Sequence, residues 1–210
     1  MSNKFKQLLE RIAREKAPGP SPTFSVLHVL HAMELIAERE IGRGKLAEKL
    51  GVGKGAARTI ISRLKEAGLI STSKAGCTLT DDGLMLWNEY KSIFMKKVEI
   101  GKNELTLANC NFAILAKNCG HKVKSGMEQR DAALMGGAEG ATTVLYRDGC
   151  LVIPSVSENA VRDFPETANQ MIELLQPEDN DVIVIGSADS LKKAEYGALA
   201  AAWTLINKSS

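Results

Sequence analysis

The stretch Lys54 to Leu64, KGAARTIISRL, carries residue types that recognise a polyanion. A guanidinium offers a planar donor fork that fits guanine O6 and N7, so Arg58 is the candidate for reading a base edge. Thr59 and Ser62 can bond bases or phosphate oxygens. Lys54 opens the stretch, where the unpaired amides of a helix start also favour a phosphate. Gly55 weakens a helix by up to ~1 kcal/mol, yet on an outer face it lets the backbone come close to a partner. Arg63 and, beyond a short turn, Lys74 complete the basic set. This chemistry needs a helix with one face buried. Ala57, Ile60, Ile61 and Leu64 fall on one side of a helical wheel and are the expected core, with Gly55, Arg58, Thr59 and Ser62 opposite. Any solvated helix face carries such residues, so the surrounding elements must decide.

Those elements follow from periodicity and punctuation. Phe24 to Arg39 is a helix with Ser25 as N-cap, and Ile41 forms a short strand. Lys45 to Leu50 is a short helix, Gly51-Val52-Gly53 a turn, and Lys54 to Ala67 a longer helix ended by Gly68. Leu69 to Ser73 and Cys77 to Thr80 are strands around Lys74-Ala75-Gly76. Asp81 or Asp82 caps a helix running to about Lys96. Two short helices joined by a tight turn pack steeply, which leaves the second protruding. Ahead of this unit, residues 3–16 space Phe5, Leu8, Leu9, Ile12 and Ala13 as an amphipathic helix, and a proline-rich stretch to Pro22 cannot continue it.

The second half reads as strands at 111–116, 142–147, 150–153 and 181–186, with helices at about 126–135, 164–175 and 190–206. Arg147-Asp148-Gly149 marks a hairpin, and the wholly apolar 181–186 a central strand covered on both faces. The expected organisation is a helix and linker at 1–22, a helix-rich domain at 23–97, and an α+β domain with a mixed or antiparallel sheet at 98–210. Residues 1–97 hold 17 Lys and Arg against 10 Asp and Glu; residues 98–210 hold 10 against 15. Only the basic half is suited to a polyanion.

Other constellations carry less chemistry. His28 and His31 sit three apart on one helix without an evident third ligand. Cys110, Cys119 and His121 fall short of the four ligands of a structural zinc, and the four scattered cysteines suit free thiols in a reducing cytosol. Gly136 to Gly140 follows a helix and precedes a strand, the reverse of a phosphate loop, and so reads as a helix end and turn. Gly186 to Ser190 has the right order but also suits plain capping. No nucleophile and base are paired, so neither an enzyme, a cofactor nor a metal is expected. The charged N-terminus and the shortness of every apolar run predict a soluble, cytoplasmic protein without a membrane partner.

The ordered set of L-A-x-x-L-G-V (Leu46 to Val52), E-A-G-L-I (Glu66 to Ile70) and L-T-x-x-G (Leu79 to Gly83) resembles the winged helix-turn-helix transcriptional regulators, including the multiple-antibiotic-resistance repressors. The resemblance covers about residues 24–95. It implies duplex DNA as partner, read by the helix 54–67, with Lys74 in a short wing on phosphate. Asn111-Phe112-Ala113-Ile114-Leu115 and 126–149 resemble, more loosely, an uncharacterised archaeal domain that follows such winged helices. That domain is expected to dimerise the chain and to sense a small-molecule effector, with Arg130, Asp131 and Arg147 as first candidate contacts; across the whole chain the candidate dimer surfaces are helix 3–16, the outer face of helix 84–96 and helix 190–206. The competing readings are an enzyme with an appended winged helix, and a winged helix for protein or RNA contacts.

Overall fold

The computed structural model describes residues 3–14 and 22–206, and the chain divides into two compact units, Met1–Tyr90 and Lys91–Ser210. The proline-rich stretch at 17–21 lies outside the described residues.

The first unit opens on α1, Asn3–Ala13, whose Phe5, Leu9 and Ile12 are buried. α2, Val26–Glu38, starts at Ser25, and the His28 ring nitrogen accepts the Ser25 N–H at 3.1 Å. His28 therefore serves the helix cap. α3, Arg43–Leu50, ends on Gly51 at φ 67°, a left-handed turn that suits glycine. α4, Lys54–Glu66, follows after two residues and buries Ala57, Ile60 and Leu64. Ile61 is half-buried rather than core, because it stands at the rim of the α4 apolar face. β1, Ile70–Thr72, and β2, Cys77–Leu79, form an antiparallel hairpin, joined by a lone bridge from Ile41 to Cys77.

α5, Asp81–Ile93, closes the unit. Its cap is Thr80, not Asp81 or Asp82. The Thr80 hydroxyl accepts the Gly83 N–H at 3.1 Å and donates to the Gly68 carbonyl at 2.6 Å. That pair ties the end of α4 to the start of α5 and accounts for threonine in the L-T-x-x-G motif. Gly83 accounts for the rest: a Cβ there would stand 2.0 Å from the Leu69 carbonyl oxygen.

The second unit is built on β3 (Phe94–Ile100), β4 (Cys110–Ala116), β5 (Gly140–Arg147), β6 (Cys150–Val152) and β7 (Val182–Ala188). They form one antiparallel sheet in the order β3-β4-β7-β5-β6. β7 is central and buried throughout, as its composition predicts. The β5–β6 turn puts Asp148 at φ 50° and Gly149 at φ 77°, the conformation expected of Asp-Gly in a hairpin. On one face, Ala113, Leu115, Ile183, Ile185 and Val144 pack against Ala168, Met171 and Leu175 of α8, Pro165–Leu175, with the short α7, Ala160–Asp163, beside it. The other face carries α6, Met127–Met135, and α9, Leu191–Trp203. Gly186 admits α9 to the sheet, since a Cβ there would meet the Ala194 carbonyl oxygen at 2.4 Å. Ala194, Ala198, Ala201 and Ala202 are fully buried, so the alanine stripe of α9 is a packing surface against its own domain.

α7 is not among the helices expected from the sequence, and α5 and β3 depart from that reading as well. α5 ends at Ile93, three residues short of the expected Lys96, and the chain turns directly into β3. That strand lies at the sheet edge and carries Lys96, Lys97 and Glu99, a charged pattern that blunts an edge and hides the alternation by which strands are found.

Candidate nucleic-acid interface

Helix α4 is the site's frame. Ala57, Ile60 and Leu64 form its buried side, the helix packing on α3, β1 and α1, and the opposite side leaves Lys54, Gly55, Arg58 and Ser62 exposed. Among the described residues nothing requires glycine at position 55: a Cβ there meets no atom within 4 Å, and Gly53, the α4 N-cap, is equally open. These two residues bare the backbone at the start of the helix, where amides lack helical partners.

The hydroxyls are less available than the cations. Thr59 is half-buried and donates to the Gly55 carbonyl at 3.1 Å; Ser62 donates to Glu66 Oε1 at 3.0 Å. Arg63 stands apart from the group. Its guanidinium donates to the Ile12 carbonyl at 2.8 Å and the Arg14 carbonyl at 2.6 Å, and it lies 5.3 Å from the centre of the Phe24 ring. It closes the C-terminal end of α1 onto α4, where a cation also meets the negative end of the helix dipole.

The wing turn is held from inside. The Ser73 N–H donates to the Gly76 carbonyl at 2.7 Å, and the Ser73 hydroxyl accepts the Ala75 N–H at 3.0 Å while donating to Glu40 Oε1 at 2.9 Å. Lys74 is thereby left exposed at the tip. A shallow cleft of about 270 Å³ brings Lys74 together with Arg58 of α4 and Arg43, the first residue of α3. Among the described residues these three cations make no hydrogen bond or ion pair. Glu40 tempers the field near this cleft: with burial as the larger cause, its carboxylate pushes the Cys77 thiol above the usual range. Sequence reasoning missed Arg43. The available signal was Gly42-Arg43-Gly44 at a helix start, where Gly42 is the N-cap.

The residues expected to contact an effector do not converge. Arg130 and Asp131 are exposed on α6, and Arg147 is exposed at the far end of β5. A polar cleft of about 620 Å³ in the same domain is lined instead by Lys102, Glu104, Glu166, Thr167 and Gln170, with the Thr167 hydroxyl donating to Glu104 at 2.8 Å. Cys110 opens β4, Cys119 lies three residues beyond its other end, and His121 reaches Asn180. All four cysteines are free thiols.

Comparisons with known proteins match two separate stretches of the chain. Residues 23–94 match the family described as the CggR N-terminal DNA binding domain. Residues 107–205 match a domain of unknown function, DUF4443. Among solved structures, a hypothetical protein from the archaeon Pyrococcus horikoshii OT3 is similar, with 26% identity and a TM-score of 0.68 over 87% of this chain and 92% of that one. No curated protein matches. Neither family description names an enzyme, and no helix among the described residues is long and apolar enough to cross a membrane. The chain thus carries a CggR-like DNA-binding domain over residues 23–94, followed over 107–205 by a DUF4443 domain.

Proposed function

We propose that this protein is a cytoplasmic transcriptional regulator that acts as a homodimer, enters the major groove of duplex DNA with α4, and uses its C-terminal domain for dimerisation and effector sensing. The observation that carries the reading is the exposed trio of Arg58, Arg43 and Lys74 around one cleft of a domain similar to known DNA-binding domains. Arg58 reads a base edge, one turn inside the helix, with Lys54 and the bared backbone of Gly53 and Gly55 on phosphate. Arg43 and Lys74 flank it as phosphate contacts.

The test separates reading from positioning. A preferred duplex is first selected from a random pool. Arg58→Ala should cost about 1–3 kcal/mol on that duplex and relax preference at one base pair per half-site. Lys74→Ala should weaken selected and random duplexes alike and lower the salt slope by roughly one. If Arg58→Ala changes neither affinity, α4 does not enter the groove, and the domain is better read as a protein-interaction module.

A further inference from the structure

Helix α6 is inside out for a helix at a domain surface. The side packed on its own domain carries Gln129 and Ala133, and the buried Gln129 amide donates to the Thr204 hydroxyl at 2.7 Å. The outer side carries Met127 at 51% exposure, Leu134 at 41% and Met135 at 91%. Met127, Arg130, Asp131 and Leu134 are spaced i, i+3, i+4 and i+7, so they form one stripe along the helix. All four are exposed.

The stripe complements itself. If a second α6 runs antiparallel, with the two-fold axis between positions 130 and 131, Met127 meets the partner's Leu134, and Arg130 meets the partner's Asp131. By symmetry each contact occurs twice, as an isologous interface requires. The apolar ends and the charged centre both match in this one register. Met135, the most exposed of the apolar residues, then falls opposite the partner's Gly126, which presents no side chain. In a parallel arrangement Arg130 would face Arg130 of the partner subunit, and like charges would oppose contact. We propose that α6 is the dimer contact of this protein and that its occupant is the α6 of a second copy. Two short helices bury less than the ~800 Å² per partner of a standard interface. Leu107, 70% exposed, lies over Gly140 on the α8 side of the sheet and adds nothing to this stripe, so the contact is a weak one.

The other candidate surfaces are spent or different in kind. The apolar side of α1 is buried in its own domain, and so is the alanine stripe of α9. On α5, Leu84 and Met85 remain exposed and supply the rival face.

The proposal rests on the dimeric part of the regulator reading, and sedimentation of the full chain without DNA tests the two separately. The wild type should show a monomer–dimer equilibrium in the micromolar range. Arg130→Asp places like charges at the centre and should raise the midpoint tenfold or more. The double exchange Arg130→Asp with Asp131→Arg restores opposite signs and should return the midpoint to near the wild-type value. Met85→Glu, on the rival face, should leave it unchanged. All of these positions are exposed, and circular dichroism checks that each variant stays folded. A wild type that remains monomeric at several hundred micromolar overturns the α6 contact and the dimer together. A dimer indifferent to Arg130→Asp, one not rescued by the exchange, or one broken by Met85→Glu overturns the α6 contact alone and leaves the regulator reading standing.

Discussion

Gly83 shows how a single missing side chain holds the winged helix together. Its Cα lies against the Leu69 backbone, and a Cβ would fall 2.0 Å from the carbonyl oxygen and 3.0 Å from the carbonyl carbon. Both obstacles are backbone, so no rotamer change relieves them. Gly83→Ala must push the start of α5 off the end of α4, where Thr80 bridges the two. Overpacking of this kind costs about 1–3 kcal/mol, and urea unfolding should place Gly83→Ala at the upper end. A midpoint equal to the wild type would mean that the turn has slack. At this scale the sequence was informative about which residues matter and less so about what each does. Thr80 and Gly83 are visible as a motif, but the acidic pair beside them is an equally good cap by composition, and only the bonds made decide. Thr59 and Ser62 are visible as hydroxyls on the outer side of α4, whereas their intrahelical partners are not.

At the scale of elements, Arg63 is the instructive case. The sequence places it in the basic set expected at DNA, because helical spacing cannot say that α1 ends beside it. The structure places its guanidinium on two carbonyls at the end of α1 and over the Phe24 ring. Arg63→Met keeps much of the aliphatic stem and removes the charge and the bonds. Losing bonds to a charged donor costs about 1.5–3 kcal/mol, lowered here by partial exposure. The expected outcome is a loss of about 1–2 kcal/mol in unfolding, with the salt slope of DNA binding unchanged. A slope that falls by one with stability intact would return Arg63 to the interface. The long helices and apolar strands were legible for a physical reason: α2, α4, β4 and β7 each bury a face or the whole element, so the hydrophobic pattern is written in full. β3 buries little in its middle and carries lysines, and α7 is one turn long. Neither leaves a periodic trace.

At the scale of the whole molecule, the division of charge is itself a device. The cations cluster in the half that holds α4 and the wing, and the acidic excess lies in the half that holds the five-stranded sheet. On the proposed function, phosphate repels the acidic domain and attracts the basic one, so the field favours approach of DNA to the N-terminal domain before any base is read. Binding must then carry the signature of counterion release. Each phosphate neutralised contributes about −0.9 to the slope of log affinity against log salt. With Lys54, Arg43, Lys74 and the amides at the start of α4 engaging about four phosphates, the slope per protomer is roughly −3.6. Raising salt from about 50 to 200 mM should therefore weaken binding of the full chain to random duplex by about 100-fold. A dimer with both winged helices engaged should approach twice that slope, and Arg130→Asp, if it separates the protomers, should bring the slope back to the single value. Fluorescence anisotropy on random duplex over that salt range reads both quantities. Affinity that hardly moves with salt would mean that phosphates are not the main contact, and the basic face would then need a different partner.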